Sequence, residues 1–147
     1  MMKIEVKIDK SLITMAEEML NNVKEAVERA TLEVKEEVID NIGHGYEKLN
    51  YPPISESYRK QLERKGLLPH VGLISPKEDK KKLLKSIGHK MRDGGLTGVI
   101  FTNRPYAIFV EKGTRKMPAR PFFEPALKAK KERVEELIKK AIEDSLK

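Results

Sequence analysis

Pro105-Tyr-Ala-Ile-Phe-Val-Glu-Lys-Gly-Thr-Arg-Lys-Met-Pro-Ala-Arg-Pro-Phe-Phe-Glu-Pro-Ala-Leu127 concentrates residues whose backbone or side chain has few substitutes. Tyr106, Ile108, Phe109 and Val110 make a short apolar element, Gly113 stops it, and a basic loop follows. Pro121 and Pro125 stiffen the entry to a last helix, because a proline in a first turn gives up only an amide that has no intrahelical partner. Within the loop, Glu111 and Arg120 have the chemistry of a charge-assisted pair. Gly113 supplies a conformation closed to bulkier residues, and Phe122 with Phe123 can pin the helix to a sheet.

Downstream, Ala126, Leu127, Val134, Leu137, Ile138, Ala141, Ile142 and Leu146 recur at helical spacing. Upstream, Asp93-Gly94-Gly95 reads as a turn between β-forming runs at Leu83 to Arg92 and Thr97 to Thr102, which predicts a hairpin. At the other end, Met2 to Asp9 alternates Ile4, Val6 and Ile8 with Lys3, Glu5 and Lys7, the period of an edge strand. Ser11 or Thr14 then caps a helix, Thr14 and Glu17 having capping-box spacing. An apolar stripe from Leu12 and Met15 through Ala26, Val34 and Val38 to Ile42 predicts a helix of roughly thirty residues. Glu25 and Arg29 lie on its outer face at ion-pair spacing, and Gly43 and Gly45 are expected to end it. Residues 44–82, with Pro52, Pro53, Pro69, Pro76 and the charged run Lys77 to Lys82, read as a long irregular connection holding one helical turn around Ser57 to Lys65, mobile in an isolated subunit. The pattern predicts an α+β fold, a small antiparallel sheet packed against a long N-terminal helix and a C-terminal helix.

A chain of 147 residues fits one domain over 1–147. With 5% aromatic residues and no tryptophan, its core must come from aliphatic side chains. Lys and Arg number 30 against 23 Asp and Glu, a net charge of +7. That excess permits contact with nucleic acid, although the signs mostly alternate as on a solvated surface. No cysteine is present, so disulfides, thiolate nucleophiles and cysteine zinc sites are excluded. No apolar run approaches the roughly 18 residues that span a bilayer, and a soluble, unprocessed product is expected.

Catalytic signatures are missing. His44, His70 and His89 fall in different elements without ligand spacing, so no metal site is predicted. Gly94-Gly95-Leu96-Thr97-Gly98 lacks the Lys-Ser/Thr pair of a phosphate loop. The carboxylates are scattered among lysines, which isolates no acid and base pair. No cofactor and no enzymatic activity are expected. The run Lys80-Lys81-Lys82 with Lys85, Lys90 and Arg92 can meet phosphates, but Glu78 and Asp79 interrupt it and no aromatic is interleaved to stack bases.

Tyr106-Ala107, Glu111-x-Gly113-Thr114 and Ala119-Arg120-Pro121-Phe122-x-x-Pro125-Ala126-Leu127 together resemble the head-tail joining or tail-completion proteins of long-tailed phages, of the gene-product-ten-like, lambdoid siphophage type. Leu83-Leu84-Lys85-Ser86-Ile87 is similar to that family's Leu-x-x-Ser-Ile strand, and Tyr51-Pro52-Pro53-Ile54-Ser55 resembles a feature of the related Mu-type virion morphogenesis proteins. Lys80-Lys81 stands where the family usually has Thr-Gly. The resemblance implies a non-enzymatic virion part at the tail or neck, present in host cytoplasm during assembly. Its implied partners are further copies of itself in a sixfold ring, the head connector and the tail tube, with non-specific contact to DNA in the channel and none to membrane. Lys112, Gly113, Thr114, Arg115, Lys116, Met117 and Arg120 are then the expected assembly interface. Tyr106, Glu111, Pro121, Phe122 and Pro125 are the expected structural part of the motif. The alternative, suggested by charge alone, is a small basic nucleic-acid-binding protein.

Overall fold

The computed structural model describes residues 2–66 and 83–147. Helix α1 (Lys10–Lys48) runs for 39 residues, on the order of 60 Å. It is followed by α2 (Glu56–Arg64), strands β1 (Gly88–Arg92) and β2 (Thr97–Phe101), the short α3 (Ala107–Lys112) and the last helix α4 (Phe123–Ser145). The fold is α+β, as the periodicities predict. α1 and α4 lie side by side, and a bidentate contact of Arg133 to Glu33, at 3.1 and 3.4 Å, ties their middles.

Antiparallel β1 and β2 pair from Gly88 with Phe101 to Arg92 with Thr97. One face of this hairpin lies on α1. There Gly98 approaches so closely that a methyl group would collide with the Thr31 side chain, and Lys35 Nζ lies 3.2 Å from His89 Nδ1. The core gathers at the far end of α1, where Val34, Val38 and Ile42 meet Tyr51, Leu83, Ile87, Val110, Phe122 and Ala126.

Several expectations need correction. Met2–Asp9 is not a strand; it pairs with no neighbour among the described residues and lies fully exposed, because alternation makes a strand only where a second backbone supplies the ladder. The cap of α1 is Asp9, which accepts from the Ser11 amide and hydroxyl, while Thr14 donates back to Lys10 O within the helix. Gly43 and Gly45 do not end α1. Helical backbone breaks at His44 and resumes to Lys48, and Gly45 is needed for space: a Cβ there would sit 2.1 Å from the Tyr51 ring. Arg29 reaches Glu33 at 3.6 Å rather than Glu25.

Residues 83–86 form a helical turn, so β1 begins at Gly88, later than expected. The predicted turn around Ser57 is α2, with Ser55 as its cap. Tyr106 to Val110 opens α3, a helix. The apolar stripes are covered only in part: on α1 burial begins in earnest at Ala26, and on α4 Leu127 and Leu146 remain 61% and 65% exposed. Lys77 to Lys82, His70, Pro69 and Pro76 lie outside the described residues.

Candidate assembly surface

Two short elements meet in the motif region. α3 presents Val110 and Ala107 inward and ends at Gly113, whose amide bonds Phe109 O at 2.8 Å. Gly113 has φ 76 and ψ 175, a region essentially reserved for glycine, and a Cβ there would lie 2.7 Å from the Ala119 amide. The chain then doubles back. Thr114 N bonds Met117 O and Arg120 N bonds Val110 O, both at 2.8 Å, which closes the loop onto the helix it left.

Glu111 and Arg120 do not pair with each other. Glu111 accepts the amides of Phe122, Phe123 and Glu124 at 2.6, 3.0 and 3.0 Å. These belong to the first turn of α4, where amides lack helical partners and the helix dipole favours an anion. A carboxylate eleven residues upstream of Phe122 thus does the work of the N-cap that Phe122 cannot do with its own side chain. Pro125 sits in the same turn, without an amide to satisfy.

Arg120 turns the other way. Its guanidinium donates to the carbonyls of Pro52 at 3.0 Å and Pro53 at 3.3 Å and stacks 5.7 Å from the Tyr46 ring, leaving the residue buried. Tyr51 donates its hydroxyl to Pro121 O, and its ring meets that of Tyr46 edge-on at 5.7 Å. Asn41, in the apolar stripe of α1, donates to Phe122 O at 3.1 Å. Burial raises the pKa of both tyrosines; at Tyr51 the nearby Glu111 carboxylate and Tyr46 push it further, so both hydroxyls stay protonated at physiological pH. Phe122, fully buried, stacks against Phe123 at 4.8 Å.

The expected interface therefore divides. Lys112, Thr114, Arg115 and Lys116 are exposed, Gly113 and Met117 are half-buried, and Arg120 is enclosed within the subunit. Its enclosure follows from the prolines at 52 and 53, which present two carbonyls and no amides to the guanidinium. Sequence reasoning missed Asn41, Tyr46 and the inward role of Tyr51. The signal for Asn41 was a polar residue at a core position beside Val38 and Ile42. For the Tyr51-Pro52-Pro53 string it was the unusual double proline itself.

Beside the loop lies a groove of about 380 Å³ between the end of β2, α3 and the start of α4. Phe101, Ile108 and Phe123 line it, and Arg104 and Glu111 stand at its edge. Ile108 and Phe101 are 56% and 43% exposed. Among the described residues no group of His, Asp and Glu is placed to hold a metal ion, and no helix is long and apolar enough to cross a membrane.

The family model described as "Bacteriophage HK97-gp10, putative tail-component" matches residues 1–113, taking in Tyr106, Glu111 and Gly113 and ending before Ala119 to Leu127. An uncharacterized protein of Methanocaldococcus jannaschii is 34% identical over 128 residues, covering 81% of this chain and 89% of its own length. No solved structure matches. With most of its length matched by that model, the chain belongs to the HK97 gp10-like family of phage tail components.

Proposed function

We propose that this protein is a non-enzymatic virion component that completes the tail end and joins it to the head connector, as a ring of identical subunits bordering the DNA channel. Membership of the HK97 gp10-like tail-component family is the observation that carries the reading. The distribution of polar groups supports it: Glu111 and Arg120 are engaged by backbone groups, which leaves the exposed Lys112, Thr114, Arg115 and Lys116 for contacts between copies. A closed ring requires two different patches on each subunit, one meeting the other on the next copy. The net charge of +7 suits a DNA conduit or an acidic neighbouring ring.

Removing the gene from the virus or provirus that carries it should leave filled heads and free tails that fail to join, seen by electron microscopy. Normal joined particles would overturn the role. The same charge favours a second reading, a small nucleic-acid-binding protein. Retention on DNA at about 0.15 M salt with steep loss above it would support that reading instead.

A further inference from the structure

Among the described residues nothing packs beneath the first turns of α1. α4 ends opposite Asn22, where Asn22 Nδ2 donates to Ser145 Oγ at 2.9 Å. Residues 10–21 therefore extend past the body by roughly 18 Å. Along this overhang Leu12, Ile13, Met15 and Leu20 are 52%, 46%, 44% and 43% exposed. The preceding arm exposes Ile4, Val6 and Ile8 still more. A bare helix of this length is marginal in water unless its apolar face is covered.

The groove beside α3 is the complementary feature, and it stands at the opposite end of the molecule, where Asn41 meets Phe122. From Lys10 to Asn41 the helix rises on the order of 45 Å. Residues 2–9 span at most about 28 Å when fully extended, so the arm cannot fill the groove of its own subunit. Charge matches as well. The overhang bears Glu17 and Glu18; Arg104 lines the groove, Lys112 follows the lining Glu111 in sequence, and the Glu111 carboxylate is already taken up by three α4 amides. Glu17, Glu18, Arg104 and Lys112 are exposed and none forms an ion pair among the described residues.

We propose that the apolar overhang of one copy docks in the Phe101–Ile108–Phe123 groove of the next, with Glu17 and Glu18 facing Arg104 and Lys112. The contact is head-to-tail, and it deepens the ring reading by naming the two patches that meet. In an open row only the two end copies keep a free patch, one of each kind, until the ring closes.

The absence of cysteine allows a direct test in the full-length chain. Met15→Cys and Ile108→Cys variants, one of them tagged, are mixed and treated with a short bis-maleimide. Unlike pairs should exceed either like pair by roughly tenfold, equivalent to a preference of about 1.4 kcal/mol. Glu17→Lys with Glu18→Lys in the first partner should abolish that excess, and Arg104→Glu with Lys112→Glu in the second should restore it. Equal yields for like and unlike pairs, or indifference to the charge reversals, would overturn the docking. That failure would leave the tail role standing, whereas joined particles from the deletion strain would sink the tail role and leave the docking intact.

Discussion

Around Glu111 the polar side chains end on backbone groups of the same subunit, while along residues 2–21 the apolar side chains face water. The two regions belong to one chain of alternating charge, yet they solve opposite problems. The loop after α3 would leave the first amides of α4 and the carbonyls of residues 52, 53 and 121 unsatisfied. Glu111, Arg120 and Tyr51 supply those partners, the first two through charge-assisted bonds. The overhang has ordinary helical hydrogen bonds and lacks only cover from the other described residues. Where their bonds end thus separates the residues that hold the subunit together from the apolar ones that the proposed docking would cover.

Substitutions should separate the two regions by kind of effect. Phe122→Ala removes the most enclosed aromatic ring and should cost about 3–5 kcal/mol in urea unfolding. Gly113→Val places a side chain against the Ala119 amide at a positive φ and should cost about 3 kcal/mol by the same assay. Glu111→Ala, which frees three amides of α4, should cost about 2 kcal/mol and speed hydrogen exchange at Phe122 to Glu124, with Glu111→Gln recovering part of the loss. In contrast, Leu12→Ser with Ile13→Ser should change subunit stability by less than about 0.5 kcal/mol while lowering the mass seen by sedimentation at high concentration. If that pair destabilises the dilute subunit as the Glu111 change does, the contrast fails.

A smaller pH effect sharpens the picture between these extremes. The Arg133 guanidinium bonded to Glu33 holds its carboxyl below the usual range. A depressed folded pKa means that the contribution is fully present above the unfolded value, about 4.3, and is lost as pH falls through the lower folded value. Glu33→Gln should flatten the acid limb of a stability-against-pH curve in that window and leave the curve near neutrality almost parallel.

Sequence legibility followed the same division. Helical periodicity revealed both long helices and the Asp93-Gly94-Gly95 turn revealed the hairpin, because these depend on local spacing. The strand expected at Met2 to Asp9 failed because a ladder needs a second backbone, and no spacing within eight residues records whether one exists. The Glu111 and Arg120 pairing failed for a related reason. Opposite charges suggested each other, but the folded chain brings each side chain closer to backbone groups with no other partner, the α4 amides and the proline carbonyls. Gly113 was legible because its role is conformational and local. Gly45 was not, since its role is to admit a ring from Tyr51.

Hydrogen exchange on the full-length protein, followed residue by residue from dilute to concentrated solution, tests most directly whether the overhang is an assembly element and the Glu111 network an internal one. Amides at residues 10–21 should exchange rapidly when dilute and become protected as copies associate, while those of Phe122 to Glu124 stay protected throughout. Equal and concentration-independent protection of the two segments would contradict the account.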